Sequence, residues 1–380
     1  MTEKIYYNDA YISEFFAKVL SQSVDGDRFD VVLDKTAFFP EEGGQYSDKG
    51  YIADARVLDV KEIGGVIHHY TDKAVSESES VYCRIDFDER FEKMQCHSGE
   101  HILSGLIHKL YGLDNVGFHL GGEDVTMDIS APLTREELDR VETLANEIIF
   151  KNVEITTEIL NADELSGIEY RSKLDLSENV RIVRIGEYDT CACCAPHVKY
   201  TGEIGVIKIL DFAKLRGGIR IHITAGRRAL KEFRALYANA GAVSSILSVP
   251  KAEIVGGVER LLSSYGEEKA KFSEYRLKRI ISEADSMNFV TGNCVKVLPE
   301  ATVEELIAFS NVATGKVSGM LVLLSGEDGT YKYVIASDST DLRALSKEIN
   351  KSLLGRGGGK PNMIQGSFSS TLKEIEEYFS

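Results

Sequence analysis

At 380 residues the chain is long enough for two to four compact units of roughly 100 to 200 residues each, and with 43% hydrophobic and 27% charged residues its composition excludes a disordered or fibrous protein. A net charge of −16 excludes indiscriminate binding to nucleic acid. No apolar run reaches the roughly 18 to 20 residues of a membrane span, and acidic residues interrupt the N-terminal stretch where a signal peptide would need an apolar core; a cytoplasmic protein with no membrane partner is expected.

Residues 1–87 read as short strands rich in β-branched and aromatic side chains, with Gly-Gly turns at 43–44 and 64–65, which predicts a β-barrel domain. The period then changes. Phe91, Met94, Ile102, Leu103, Leu106 and Leu110 recur at helical spacing up to Gly112, and a second helix is expected over 134–150, followed by strands to Thr224. Residues 88–225 therefore form an α+β domain. From 226 to 295 the chain is a helical arm in which Ile254, Val258, Leu261, Tyr265, Phe272 and Tyr275 follow a three-four spacing. That stripe fits either an amphipathic helix lying on its own domain or a coiled coil that pairs two copies of the chain. Residues 296–380 make a C-terminal α/β domain, with a hairpin turning at Asp328-Gly329, a helix at about 341–354 and a glycine-rich loop "GRGGGKPNMIQG".

Three of the six cysteines crowd into positions 191–194, a pattern that points to metal rather than disulfides. His97-Ser98-Gly99-Glu100-His101 spells H-x-x-E-H, the zinc motif of one class of peptidase. Residues four apart share a helix face, so His97 and His101 can bind one ion. Cys193 and His197 repeat the same spacing, with Cys191 and Cys194 as neighbouring thiols, and two such pairs make the tetrahedral N/S set of zinc. A peptidase needs an open position for water and Glu100 as its general base. Four protein ligands close that position, which leaves the zinc peptidase, and Glu100 as a catalytic residue, as the weaker reading. Between Lys199 and Arg234 nine basic residues stand against three acidic ones, so a basic face is expected on this acidic protein.

Four stretches in order resemble one family, the long-form alanyl-tRNA editing proteins, together with the matching C-terminal parts of alanyl-tRNA synthetase. "TAFFPEEGGQYSDKG" is similar to the family's T-x-F-Y-P-x-G-G-G-Q stretch. "HSGEHILSG" and "CCAPHV" resemble its two zinc pairs, "GFHLGGEDVTMDIS" the segment between them, and "GRGGGKPNMIQG" its C-terminal glycine-rich motif. The resemblance implies one Zn2+ per chain held by His97, His101, Cys193 and His197. It implies an editing pocket with Thr36 near the aminoacyl side chain and Gly43, Gly44 and Gln45 beside it. It further implies hydrolysis of alanine tRNA carrying serine or glycine, and a C-terminal tRNA-binding domain in which Arg356 and Lys360 flank the glycines. A homodimer through the helical arm or the C-terminal domain is the expected assembly. The chain departs from the family pattern at Glu42, where a glycine is usual, and at Phe39, where a tyrosine is. It opens directly in the barrel, so no ATP-using synthetase activity is expected. An RNA-binding module with purely structural zinc is the non-enzymatic alternative.

Overall fold

Alternation at period two builds the first sheet. Seven antiparallel strands lie in the order Glu14–Ala17, Val81–Ile85, Gly50–Ile52, Ala55–Ile63, Val66–Thr71, Arg28–Leu33, Val19–Asp25. Their inward side chains, among them Val31, Leu33, Ile52, Val57, Ile67 and Cys83, form one buried cluster. The structure, a computed structural model, describes residues 1–76, 80–122, 124–172 and 179–380. The expected barrel is open: its two end strands follow one another in the chain with only Lys18 between them, yet no ladder joins them. The corner explains this. With Lys18 alone between them the two strands lack the two or more residues a hairpin turn needs, and they run as two arms of one bent segment, held at the bend by Lys18 N–H donating to the Asp34 carboxylate at 2.7 Å and Asp34 N–H donating to the Lys18 carbonyl at 3.0 Å.

This sheet belongs to the first of two units, Met1–Ala240. The helix Phe87–Tyr111 (α1) crosses the same unit and is buried through most of its central turns, from Lys93 to Ile107. Asp88 and Glu89 sit in its first turn, His108 and Lys109 in its last, and Gly112 ends it at φ 66°, each as the helix dipole and the left-handed C-cap require. α1 packs with helix Arg135–Lys151 (α2), which a capping box of Thr134 and Glu137 starts. Beneath α1 runs the four-stranded sheet Asn115–Leu120, Val125–Ile129, Gly218–Ala225, Ile207–Leu215; a three-stranded sheet, Ile155–Leu160, Val180–Ile185, Asp189–Ala192, meets α1 through its last strand. Of the segment Gly117–Ser130, Glu123 lies outside the described residues.

The second unit, Gly241–Ser380, is a five-stranded mixed sheet in the order Cys294–Val297, Leu321–Ser325, Tyr331–Ala336, Met363–Phe368, Gly355–Lys360. Ile280, Phe309 and their neighbours from the helices Ile254–Asp285 and Val303–Ala313 cover one face. Leu342, Ile349, Ile375 and Phe379 from the helices Leu342–Ser352 and Leu372–Phe379 cover the other. The glycine-rich segment is not a loop but the edge strand of this sheet. Glycine serves space here: a Cβ on Gly357 would lie 2.5 Å from the Tyr333 hydroxyl and 2.3 Å from the Gln365 carbonyl. Along Ile254–Asp285 only Gly257, Ile280 and Ala284 are buried, and Val258, Leu261, Tyr265, Phe272 and Tyr275 are exposed. The stripe therefore does not lie on the chain's own core. Among the described residues no helix is long and apolar enough to cross a membrane.

Candidate metal centre

α1 places His97 and His101 one turn apart on its buried face, and the loop after strand Asp189–Ala192 brings Cys193 and His197 against them. The four ligand atoms all lie within 4.8 Å of one another. Cys193 Sγ is 3.6 Å from His97 Nε2 and 3.4 Å from His197 Nε2. A tetrahedral zinc with Zn–S of about 2.3 Å and Zn–N of about 2.05 Å needs such atoms roughly 3.5 Å apart, so the residues present fit the ion.

Each imidazole is turned by its other nitrogen. His97 Nδ1–H donates to Gln45 Oε1 at 2.8 Å, His101 Nδ1–H to Asp189 Oδ2 at 2.9 Å, and His197 Nδ1–H to Ser98 Oγ at 3.0 Å. Three different partners thus present three Nε2 lone pairs to one point, the arrangement that fixes tautomer and ring angle in metal sites. Arg171 anchors Asp189 at 2.8 Å and reaches Ser104 as well. Asp189 is held below the usual carboxylate range against its burial by His101 and Arg171. Burial pushes His197 down to about 3, leaving it a neutral ligand.

The three thiols are not equivalent. Burial raises Cys191 to about 11 and pushes Cys194 up further, whereas Cys193 falls well below its ordinary value despite burial because His97, His101 and His197 face it. Only Cys193 is set up as a thiolate, the form that binds metal. A second grouping, His101, Asp189 and Cys191, shares His101 with the first, but there Asp189 is already taken by His101 Nδ1 and Arg171.

Residues 180–222 match the family model for the threonyl and alanyl tRNA synthetase second additional domain, and residues 2–89 that for class II (A) tRNA synthetases. The alanyl-tRNA editing protein AlaX-L of Pyrococcus horikoshii is 29% identical, over 99% of this chain and 96% of its own. The chain is similar over nearly its whole length to this alanyl-tRNA editing protein. It is also 31% identical over 99% of its length to the alanine–tRNA ligase of Ignicoccus hospitalis and 30% to that of Thermococcus kodakarensis, but it spans only 42% of either ligase. The C-Ala domain of Aquifex aeolicus alanyl-tRNA synthetase aligns with 23% of the chain at a TM-score of 0.20 and 19% identity, too slight a likeness to bear on the fold.

Gln45, Gly44 and Gly43 lie beside the His/Cys cluster. Glu42 to Gln45 form a two-residue hairpin turn: Gln45 N–H donates to the Glu42 carbonyl at 3.0 Å, and Gly43 and Gly44 take φ of 62° and 83°. Both central residues are left-handed, the pattern of a type I′ turn. Glu42 is not left-handed, so the departure from glycine there costs the turn nothing. The turn is stitched to strand Asn115–Leu120, whose Leu120 N–H donates to Gly44 at 2.7 Å and whose Phe118 ring packs on His97. Gln45 Nε2 is buried with no hydrogen-bond partner among the described residues.

Thr36 is fully buried. Its hydroxyl donates to His69 Nε2 at 2.9 Å, because His69 Nδ1–H is committed to the Val31 carbonyl, and it accepts from Phe38 N–H. Glu100 is buried beside the ligands and accepts from Asn115 Nδ2 at 2.5 Å. Arg356 and Lys360 belong to the second unit and are exposed on its edge strand. Sequence reading missed Gln45 as a partner of His97, and Asp189, Ser98, Arg171 and Phe118 altogether. Ser98 stands inside the histidine motif and Asp189 two residues before Cys191, so proximity to ligands was the available signal.

Proposed function

We propose that this chain is a zinc-dependent trans-editing hydrolase that removes a wrong amino acid, serine or glycine, from the tRNA for alanine. The observation that carries the reading is the complete His97, His101, Cys193, His197 ligand set in a chain similar over nearly its whole length to an alanyl-tRNA editing protein. An alanine-activating site discriminates weakly against an analogue that merely adds a hydroxyl or lacks a methyl, so a second, hydrolytic site is needed. Bound to four protein groups, zinc supplies a fixed positive charge that orients the aminoacyl end. Thr36 is the candidate reader of the serine hydroxyl: its own hydrogen is spent on His69, so it has a lone pair left to offer. An alanine substrate would leave that lone pair unanswered. The unpartnered Gln45 amide is a candidate donor to the ester carbonyl. Glu100, held by Asn115, suits a structural role better than a peptidase base.

In the same reading residues 1–87 and 88–225 are the barrel-derived and zinc-bearing halves of the editing unit, 226–295 the arm and 296–380 the tRNA-binding domain. The exposed apolar stripe along Ile254–Asp285 supports the arm as the seat of a homodimer. A cytoplasmic setting follows from the substrate. The test is deacylation of alanine tRNA charged in turn with serine, glycine and alanine, beside a peptide substrate. Release of serine and sparing of alanine is expected; chelation or Cys193→Ala should remove zinc and serine release together, while Cys191→Ala keeps both. Cleavage of peptides with the serine ester intact would install the peptidase; tRNA binding with neither reaction would leave a structural zinc module.

A further inference from the structure

In the second unit most basic residues near the helical face are held by acids: Arg276 by Glu305, Lys278 by Glu274, Lys296 by Glu283, Lys316 by Asp285. One region differs. On helix Leu342–Ser352, Arg343, Lys347 and Lys351 stand at i, i+4 and i+8, a spacing that lines them along one stripe. All three are exposed, and among the described residues none makes an ion pair. The helix turns Leu342 and Ile349 into the core. Two acids lie near: the Asp341 carboxylate is occupied as the N-cap, accepting from Arg343 and Ala344 N–H, and Glu348 borders the stripe on the flank that also faces Tyr378; among the described residues neither forms an ion pair with the three cations. On the stripe's side, Asn350 Nδ2 donates to the Gly357 carbonyl at 3.0 Å, which ties the helix to the glycine edge strand.

That strand adds Arg356 and Lys360, also exposed and, among the described residues, without ion pairs. They point to the sheet face opposite the helix, since Gly355, Gly357 and Gly359 pair with Phe368, Gly366 and Ile364 of the helix-covered face. Cations thus flank the strand edge on both sides. No Asp or Glu occurs from Ile349 to Lys373, in a protein of net charge −16. Gly358 faces open space, so nothing rises above the backbone between Arg356 and Lys360.

We infer that Arg343, Lys347 and Lys351, with Arg356 and Lys360, form one track for the phosphate backbone of RNA, running from the helix over the glycine edge. This rests on the tRNA reading above and extends it to a helix that neither the sequence motifs nor the comparisons single out. Five unpaired cations around a bare edge match a polyanion with regularly spaced charges. Edge lysines also deter strand pairing, but that task needs no second row on a helix.

The test is the salt dependence of binding of full-length protein to uncharged alanine tRNA and to a plain RNA duplex. Arg343→Gln, Lys347→Gln and Lys351→Gln combined should weaken binding about tenfold or more and lower the slope of log K against log salt by about 2 to 3. Swapping the same three positions to the other basic residue should keep the slope. Lys278→Gln, Lys296→Gln and Lys316→Gln combined, which remove three cations already paired, should leave affinity and slope unchanged. An unaltered slope in the first variant overturns the track, as does equal loss in the paired-cation control or a wild type that binds neither RNA. So does loss of binding to phosphatidylserine vesicles with RNA binding intact. Uncharged RNA separates the two readings: a fallen slope with no ester hydrolysis keeps the track and removes the editing function, and hydrolysis with an unaltered slope does the reverse.

Discussion

Two glycine-rich stretches stand in different units and look alike in sequence: Gly43-Gly44 beside the metal and Gly355 to Gly359 in the second unit. In the first, glycine is needed for backbone angle, with φ of 62° and 83°. In the second no residue from Gly355 to Gly359 has a left-handed φ, and at Gly355, Gly357 and Gly359 glycine is needed because Tyr333, Phe368 and the next strand leave no room for a Cβ, while Gly358 faces open space. The same residue type thus answers two constraints, one torsional and one steric, and only the steric one can propagate through a sheet.

Gly44 carries both constraints, which makes it the sharpest place to break the comparison. A Cβ there would sit 2.2 Å from the Phe118 carbonyl at φ 83°. Gly44→Ala should cost about 4 kcal/mol and, by moving Gln45 and Phe118 off His97, reduce the bound zinc per chain, read by metal analysis of the purified protein. A variant with normal melting and full zinc would show that the turn does not hold the ligand. Gly357→Ala, purely steric, should cost about 3 kcal/mol and leave zinc content unchanged. Loss of zinc in that variant would contradict the independence of the two sites.

Much of the metal centre was legible because helical spacing is a strong regularity: His97 and His101 had to share a face, and Cys193 with His197 repeated the interval. The choice among three adjacent thiols was not fixed by spacing. It comes from which sulfur the fold points at three imidazoles, a three-dimensional fact. Asp189 and Ser98 carried no signal beyond nearness to the ligands for the same reason, since an aspartate at a strand start and a serine within a helix have many ordinary uses. The open barrel escaped because strand patterns tell which side of a strand is buried but not whether the last ladder closes; here the two end strands are arms of one bent segment with Lys18 alone between them. The glycine strand was read as a loop because glycine lowers strand propensity wherever packing is not known.

Gly43 isolates the torsional constraint. A Cβ there would find only Cys194 Sγ, at 3.7 Å, an ordinary contact. Gly43→Ala should therefore cost about 1 to 2 kcal/mol, the strain of one left-handed non-glycine residue, with zinc retained; chemical denaturation followed by circular dichroism reads the difference. Gly43→Asn should recover part of it, as asparagine tolerates this region better.

The smallest effect is expected at Glu42, the departure from the family pattern. If all three family glycines were torsional, restoring the first by Glu42→Gly should stabilise the turn. Here Glu42 is bonded to Gln45 through both backbone groups and does not adopt a left-handed angle, so glycine would gain no conformation it needs. It would instead enlarge the freedom lost on folding, by about 0.5 to 1 kcal/mol. Glu42→Gly should thus melt slightly lower than wild type with zinc unchanged. A higher melting point would mean that the turn is strained at Glu42, and that torsion rather than space governs the whole glycine stretch.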